Sequence, residues 1–245
     1  LTAMGHLSAD SIHHAVEALK LAFADRDVYY GDPQFTGVPM SSLLSDRYTE
    51  VRRTLIDAQL ASDTARPGDP YRLQALAKAD ETPPAPGGTT TCVITDRWGN
   101  VVSATPSANI PRDHDGGGAT GVTYGNRLRS LNTTPGHPNC IQPGKRPRIT
   151  LTPTLVLKQG RPAMAVSVAG GDLQDQTALN LLINAIDYCM DPAEAVTTPR
   201  FSTDHHEDSF DPNPQRSDTF KGVRSLTVND DVDEKVQQQL ADRGH

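Results

Sequence analysis

Three consecutive threonines stand where a proline- and glycine-rich segment meets the start of a predicted strand. They are Thr89 to Thr91, in the stretch PPAPGGTTTCVITDRWGN. A threonine hydroxyl is a weak nucleophile, but cleavage of the peptide bond before it would free an α-amino group that can act as its general base. The run could therefore attack a carbonyl carbon. On residue type alone, three β-branched residues more often mark a plain strand edge.

A predicted β-hairpin follows the threonines and would hold them at the end of a strand. Cys92 to Thr95 and Val101 to Thr105 alternate with a period of two and flank the turn DRWGN. Gly99 and Asn100 tolerate the positive φ that a tight turn requires. The pattern predicts a two-stranded unit that begins at the threonines.

A second predicted hairpin ends in a glycine pair. Its strands contain Leu155 and Leu157, then the run PAMAVSVAGG, with Lys158-Gln159-Gly160 as the turn. A helix is predicted directly after Gly170-Gly171. The residues that give it helical spacing are Ala178, Leu179, Leu182, Ile183 and Ile186.

Four further segments are predicted to be helical. In the first, Ile12, Val16, Leu19 and Phe23 recur at helical spacing, Ser8 or Asp10 can serve as the N-cap, and one face is expected to be buried. The others are a segment capped by Ser45 that carries Tyr48, Val51 and Leu55, a short one after Asp191-Pro192, and a final one through Val232, Val236 and Leu240. This order of elements permits an α+β fold with sheets sandwiched between helices.

Composition excludes several classes of protein. The net charge of −7 argues against nucleic acid or an acidic membrane as the main partner, and no apolar run reaches the length of a membrane span. The three cysteines, Cys92, Cys140 and Cys189, match neither a disulfide framework nor a zinc site, so we expect reduced thiols. Residues 62–88 have a linker composition. The chain starts with Leu1, and we expect it to begin inside a longer gene product.

The sequence resembles the γ-glutamyltransferase (γ-glutamyltranspeptidase) family over nearly its whole length. The motifs that carry the resemblance are EALKLAFADRDVYYGDP, the pattern from Thr89 to Asn100, KRP followed by TPT, Gly170-Gly171, and AEAVTTPRF. The resemblance implies an N-terminal nucleophile hydrolase, an αββα four-layer sandwich. It also implies that residues 1–88 are the end of a large subunit and that residues 89–245 form a small catalytic subunit.

The resemblance implies roles for individual residues. Cleavage between Gly88 and Thr89 would make Thr89 the nucleophile, and its spacing from Gly99-Asn100 favours it over Thr90 or Thr91. Ser107 corresponds to a family threonine whose hydroxyl contacts the nucleophile's amino group, and Asn109 to an asparagine that binds the donor. Gly170 and Gly171 correspond to the pair that forms the oxyanion hole. No metal or organic cofactor is implied. Without the family match, the glycine pair is an ordinary turn and Ser107 and Asn109 are ordinary loop residues.

The family's motifs for a γ-glutamyl group are altered here. Arg129 and Ser130 stand where an acidic pair is expected, and Arg148-Ile149-Thr150 stands where a serine pair follows KRP. Together with Arg127, these arginines favour an anionic donor that has more than one carboxylate. The alternative is that they face solvent or a subunit interface. Asp172, Gln174 and Asp175, after the glycine pair, either shape acceptor recognition or cap the next helix.

The expected function is that of a self-processing acyl transferase or hydrolase that uses a threonyl ester. Its partners would be an acyl donor, water or an amine as acceptor, and the remainder of a large subunit, in a dimer of processed heterodimers. Two alternatives stay open: hydrolysis of a carbon-carbon bond in a biosynthetic pathway, and a non-catalytic scaffold. The DHHED segment, Asp204 to Asp208, is interpreted as a solvated loop rather than a metal site. The compartment is open, with a cytoplasmic location slightly favoured over a periplasmic or secreted one.

Overall fold

The computed structural model describes residues 1–76, 89–107, 119, 125, 127–211, 213–220 and 222–245. The α-helices are α1 (Ala9–Tyr29), α2 (Met40–Leu43), α3 (Asp46–Arg53), α4 (Leu173–Leu182), α5 (Pro192–Thr197) and α6 (Glu234–Asp242). The strands are β1 (Cys92–Thr95), β2 (Val101–Ala104), β3 (Thr154–Lys158), β4 (Arg161–Val166), β5 (Phe201–Ser202) and β6 (Thr227–Val228). This mixture of helices and antiparallel sheets is an α+β fold, as the sequence predicts.

The predicted first helix is α1, and its N-cap is Ser8 rather than Asp10. The Ser8 hydroxyl accepts a hydrogen bond from the Ser11 backbone N–H at 3.1 Å, which satisfies one of the free donors at a helix start. The four residues of the predicted apolar stripe are all buried. Ile12 and Val16 pack with Phe201, Val232 and Leu240 in the larger of two hydrophobic clusters.

Burial of α1 extends well beyond one face, because charged residues on it are buried as well. Glu17 pairs with Lys20 at 2.8 Å and with Arg66 at 2.7 Å, and the Glu17 and Lys20 side chains are almost completely buried. Burial opposes the charge of the Glu17 carboxyl, but hydrogen bonds and the nearby cations prevail and lower its pKa. Charge pairing therefore compensates for the desolvation that full burial of the helix imposes.

The first part of the predicted linker is packed structure. Residues 62–76 run against α1: Gly68 N donates to Asp25 Oδ1 at 2.7 Å, and Tyr29 Oη donates to Gly68 O at 2.6 Å. A β-carbon at Gly68 would collide with the Tyr48 hydroxyl. The linker interpretation is wrong here because side chains from the helices satisfy the polar backbone of this stretch, which composition does not reveal.

Both predicted hairpins form. In the first, β1 pairs with β2 so that Cys92 lies opposite Ala104, and Asp96 Oδ1 accepts hydrogen bonds from the Trp98 and Asn100 backbone N–H groups across the turn. In the second, β3 pairs with β4, and the turn residues Gln159 and Gly160 have φ of 53° and 76°. Two consecutive positive φ angles are the geometry of a tight hairpin turn.

The helix after the glycine pair is α4, but its most buried side chains include amides that the apolar spacing does not predict. Gln176 accepts from the Thr203 backbone N–H at 2.7 Å and donates to the Thr203 carbonyl at 2.9 Å. Asn180, one turn later, makes the same pair of contacts with Phe201. These two side chains satisfy the backbone of β5 as a neighbouring strand would. Among the predicted apolar residues, Ala178 is buried, whereas Ile186 is 52% exposed.

Three residues of the DHHED segment are buried, which contradicts its interpretation as a solvated loop. His205, His206 and Asp208 are each at most 2% exposed, whereas Asp204 is exposed. The His206 ring is tilted against that of Phe23 of α1 with 4.7 Å between ring centroids, and His205 lies edge-on to Phe220. The aromatic rings make this polar segment part of the packing against α1. Within the described ranges, no cluster of side chains could hold a metal ion.

Three two-stranded sheets are present in the described part of the chain. Side chains join the two larger hairpins: Ser103 Oγ donates to Val166 O at 2.6 Å, and Ser167 Oγ donates to Ala104 O at 2.8 Å. One side of this pair packs on α4 through Val166, Val168 and Ala178. None of the helices in the described residues is long and apolar enough to cross a bilayer.

Candidate active site around Thr89

Thr89 lies opposite Ser107 at the open end of the first hairpin. Continuing the register of β1 and β2 places Thr90 opposite Pro106, and the Thr90 N–H donates to the Pro106 carbonyl at 3.0 Å. One residue further, Thr89 Oγ1 and Ser107 Oγ are 3.2 Å apart, within hydrogen-bond distance. The hairpin register thus brings together two hydroxyls that are 18 residues apart in sequence.

Arg127 contacts this pair of hydroxyls at Ser107, and it shares the ring of Phe210 with Arg129. Arg127 Nε donates to the Ser107 carbonyl at 3.2 Å, and its Nη2 contacts Ser107 Oγ. The guanidinium groups of Arg127 and Arg129 both lie over the ring of Phe210, at 5.1 and 4.9 Å from its centroid. Burial and the charge of Arg129 lower the pKa of Arg127. Among the described residues, neither arginine has a carboxylate within salt-bridge distance.

The glycine pair forms the turn between β4 and α4. Gly170 has φ of 131° and Gly171 has φ of 60°, and such values favour glycine. Their carbonyls accept hydrogen bonds from the backbone N–H groups of Leu173 and Gln174, which start α4. No hydrogen-bond acceptor for the Gly170 or Gly171 N–H occurs among the described residues. Two adjacent N–H donors at the start of a helix can stabilise a developing negative charge.

Gln174 connects this turn to Thr89. It is fully buried, and its side-chain amide lies 3.1 Å from Thr89 Oγ1 and within 3.1 Å of the carbonyl oxygens of Thr150 and Val168. Because both carbonyls can only accept, the amide NH₂ must face them, which leaves Oε1 to accept from the Thr89 hydroxyl. On sequence alone, Gln174 is assigned to acceptor recognition or helix capping and is not placed at the nucleophile. A glutamine three residues after a glycine pair, at the buried start of a helix, is the signal that could have found it.

The family model described as gamma-glutamyltranspeptidase matches residues 1–245. The chain belongs to the gamma-glutamyltranspeptidase family. The glutathione hydrolase proenzyme of Bacillus subtilis (strain 168) is 35% identical over 200 residues, an alignment that covers 76% of this chain and 33% of that protein. The acylase ACY 1 proenzyme of Pseudomonas sp. (strain SE83) is 33% identical over 250 residues, which cover 99% of this chain and 38% of the relative.

The fold is also similar to solved structures. The structure of LmbA2991HD superposes with a TM-score of 0.81 at 36% identity, over 98% of this chain and 42% of that one. The chain therefore spans about two fifths or less of the length of these relatives. The predicted membership of the gamma-glutamyltranspeptidase family is confirmed. The region that matches the family model includes all of the described hairpins and helices.

The residues at the altered motifs of the gamma-glutamyltranspeptidase family lie in three different environments. Arg129 and Ser130 belong to one helical turn, Arg127–Ser130, in which Ser130 is buried. Arg148 is buried and donates from Nη1 to Asp27 Oδ1 at 2.7 Å, so its charge is already paired. Thr150 is buried and presents its carbonyl to Gln174. Of these residues, Arg129 is the one whose charge has no described carboxylate partner. Their roles in substrate binding stay predictions.

Asp172 lies in a buried ionic network. Its Oδ1 is 2.8 Å from Arg26 Nη1 and accepts from Ser209 Oγ at 2.6 Å, and its Oδ2 accepts from the Ser209 N–H at 3.0 Å. Burial opposes the charge, but Arg26 outweighs it and lowers the pKa of Asp172 to about 2. Arg26 also pairs with Asp27, at 3.2 Å. The predicted N-cap role for Asp172 is wrong, since it makes no side-chain cap hydrogen bond to α4. Its role toward the acceptor stays a prediction.

Two predicted site residues, Gly88 and Asn109, lie outside the described residues. Of the other residues assigned to the nucleophile and its surroundings, Thr89, Ser107 and Arg127 form one continuous set of contacts. Arg148 and Asp172 form another set around Arg26 and Asp27. The Thr150 carbonyl and the start of α4 link the two sets.

Proposed function

We propose that the protein is a self-processing γ-glutamyltransferase-like acyl transferase or hydrolase with Thr89 as its nucleophile. The observation that carries the proposal is the 3.2 Å contact between Thr89 Oγ1 and Ser107 Oγ at the predicted cleavage point. It brings the threonine assigned as nucleophile to a second hydroxyl, at the position where family resemblance expects one. The full activity belongs to a longer protein than the aligned region, because the relatives are longer.

Self-cleavage follows from the position of the hydroxyl. Thr89 Oγ1 attacks the carbonyl carbon of Gly88, a bond forms between them, and the bond from that carbon to the Thr89 nitrogen breaks. The hydroxyl proton passes to the departing nitrogen, and water then hydrolyses the ester. The products are a carboxylate at Gly88 and a free α-amine at Thr89. This amine lies beside the hydroxyl that it must later deprotonate.

The mature site would repeat the same chemistry on a substrate. The amine takes the proton of Thr89 Oγ1 as the oxygen attacks the donor carbonyl, and it returns the proton to the leaving amine. A threonyl ester results, and water or an acceptor amine releases the acyl group. The Gly170 and Gly171 N–H groups are suited to stabilise the oxyanion, because they are adjacent backbone donors at the start of α4 and no acceptor for either occurs among the described residues.

The charges near the nucleophile support an acidic acyl donor. Arg129 and Arg127 lie together over Phe210, and Arg127 contacts the hydroxyl partner of Thr89. A donor carboxylate there would relieve the repulsion between the two cations. Arg148 is less suited to this role, because Asp27 already neutralises it. The donor class is thus a γ-glutamyl or related dicarboxylic acyl amide.

We also propose that the complete protein has the predicted four-layer sandwich and includes the predicted partner subunit. Several apolar side chains of the two larger hairpins are about half exposed, namely Val93, Ile94, Val102 and Leu157. The longer relatives contain additional chain that could cover such faces. We therefore propose that the remainder of a large subunit packs on these hairpins, in a processed heterodimer that pairs with a second copy.

Intact mass and N-terminal sequencing of the protein expressed from its whole gene test the proposal. The wild-type protein is expected to yield a chain beginning TTTCVITD. Thr89→Ala should remain uncleaved, whereas Thr90→Ala, the matched control, should yield a chain beginning TATCVITD. An intact wild-type chain, or cleavage of Thr89→Ala, would overturn the assignment and favour a non-catalytic scaffold. Product analysis on the cleaved protein separates amide cleavage from carbon-carbon cleavage.

A further inference from the structure

The hydrogen bonds of Gln174 have a definite direction, because two of its three partners are carbonyl oxygens that can only accept. Its NH₂ group donates to Val168 O at 3.0 Å and Thr150 O at 3.1 Å, and its Oε1 accepts from Thr89 Oγ1 at 3.1 Å. The side chain is fully buried, so water does not compete for these contacts. The hydroxyl proton of Thr89 therefore points at Gln174, and the lone pairs of Oγ1 point elsewhere.

These contacts connect the nucleophile to both sides of the glycine turn. Val168 precedes Gly170-Gly171 by two residues, and Gln174 follows the pair by three. The Thr150 carbonyl holds the amide from a third segment. A change in the position of Gln174 would thus change the position of Thr89 relative to the Gly170 and Gly171 N–H groups. Reaction rates are sensitive to such displacements, with about 100-fold lost for a 1 Å misplacement.

We propose that Gln174 is a positioning residue that orients the Thr89 hydroxyl toward the carbonyl it attacks and holds it in register with Gly170-Gly171. The inference rests on the proposed function, since it assumes that Thr89 is the nucleophile. An amide oxygen is a hydrogen-bond acceptor but not a base at neutral pH, so Gln174 does not remove the proton. Deprotonation is left to the α-amine in the mature site, and Gln174 acts on the direction of the hydroxyl alone.

Gln176 offers a matched control for Gln174. Both glutamines lie on α4, both are fully buried, and both use their amides to satisfy backbone groups. Gln176 binds the backbone of Thr203 and Asp172 and has no contact with Thr89. Replacing either by methionine removes one buried amide at nearly constant side-chain length. Loss of stability is expected from both changes, whereas loss of reactivity is expected from Gln174→Met alone.

The experiment measures self-cleavage and substrate turnover in the full-length protein, with the melting temperature as a check on folding. Gln174→Met is expected to slow self-cleavage at least tenfold and to lower kcat of the cleaved fraction tenfold or more, with KM changed less than twofold. Gln176→Met should leave both rates within twofold of wild type. Equal rates in Gln174→Met and wild type, or equal losses in both variants, would overturn the inference.

A second variant keeps the test informative if Gln174→Met does not fold. Gln174→Glu has the same shape, but a carboxyl buried against the Val168 and Thr150 carbonyls can donate to at most one of them, and only in its protonated form. It should slow self-cleavage at least tenfold, and a wild-type rate would contradict the inference. Failure of the proposed function gives a different result, because wild type and Thr89→Ala would then be equally inert. If wild type cleaves and the Gln174 variants match it, Thr89 remains the nucleophile and Gln174 loses its role.

Discussion

Arg26 of α1 and Asp172, the residue after the glycine pair, form a buried ion pair with 2.8 Å between Nη1 and Oδ1. They are 146 residues apart and stand on opposite sides of the predicted cleavage point. The same Asp172 carboxylate accepts two hydrogen bonds from Ser209. The turn that carries the proposed oxyanion donors is thereby tied to the longest helix of the chain. After self-cleavage, this ion pair would be a contact between two subunits.

Replacing Asp172 by asparagine should destabilise the protein. The change removes one carboxylate partner of Arg26, which keeps Asp27 and Asp175. Loss of one hydrogen bond between buried charged groups costs about 1.5 to 3 kcal/mol. Chemical unfolding of the full-length protein measures the effect. Glu50→Gln is the matched control, because Glu50 pairs with Arg53 on the surface, with both side chains more than 60% exposed. That change should shift the free energy of unfolding by less than about 1 kcal/mol. Equal effects of the two changes would contradict a structural role for the buried pair.

Removing the Ser107 hydroxyl should slow the chemistry at Thr89. A hydrogen bond to a group that gains charge is worth about 1.5 to 3 kcal/mol, so Ser107→Ala should lower the self-cleavage rate roughly tenfold to a hundredfold. Ser107→Thr keeps the hydroxyl and should retain most of the rate. Ser103→Ala is the control. Ser103 lies in the same hairpin as Ser107, and its hydroxyl bonds the Val166 carbonyl of the second hairpin. A Ser107→Ala rate as high as that of Ser103→Ala would exclude Ser107 from the site.

Truncating Arg129 should weaken binding of acidic donors specifically. Arg129→Ala removes a cation that has no described carboxylate partner, and KM for a dicarboxylic acyl amide should rise about tenfold. KM for a neutral acyl amide of the same length should not change. Arg97→Ala is the control, since Arg97 also stacks on an aromatic ring, that of Trp98 at 4.2 Å, in the exposed turn of the first hairpin. Equal changes of KM for acidic and neutral donors would rule out a direct charge contact.

Lowering the pH should destabilise the protein through His205. Burial and, next, the Lys20 ammonium lower the pKa of His205 to about 4, whereas the unfolded value is near 6.5. Its stabilising contribution is complete above the unfolded pKa and is lost as the pH falls toward the folded pKa, because the unfolded state then binds the proton and the native state does not. The titration of His205 should therefore lower the free energy of unfolding by about 2 kcal/mol between pH 7 and pH 5.

The variant His205→Asn isolates this effect. Asparagine can accept the Arg224 backbone N–H, as His205 Nδ1 does at 3.1 Å, but it does not titrate. Its free energy of unfolding should fall less than that of wild type between pH 7 and pH 5, by about 2 kcal/mol. His14→Asn serves as the control, because His14 bonds only a carbonyl of its own helix. A wild-type pH slope in His205→Asn would contradict the prediction.

Local patterns in the sequence were sufficient to predict the hairpins and several helix starts. Gln159-Gly160 requires positive φ at two adjacent residues, and Ser8, Ser45 and Asp191 are short polar side chains that accept from the free N–H groups of a helix start. These are interactions between residues close in sequence, so residue type is enough to predict them. Even the Thr89–Ser107 pair follows from the hairpin register once the turn is placed.

Contacts between distant segments could not be read in this way. The DHHED segment is polar in composition, yet its two histidines are buried because Phe23 and Phe220 supply aromatic surfaces from remote segments. Residues 62–76 resemble a linker, yet Asp25 and Tyr29 bind their backbone. Arg148 is a free cation in the sequence and the partner of Asp27 in the structure. In each case the deciding partner lies many residues away and has no local signature.

The sequence by itself determined the family, the order of elements and the threonine assigned as nucleophile, because these depend on local spacing and residue type. The tertiary structure decided which charges are already paired and which groups surround Thr89. Arg148 and Asp172 are held by α1, whereas Arg127 and Arg129 have no described carboxylate partner. Gln174 reaches Thr89 across 85 residues. These pairings depend on tertiary packing, because most buried polar groups are satisfied by partners that are close in space and distant in sequence.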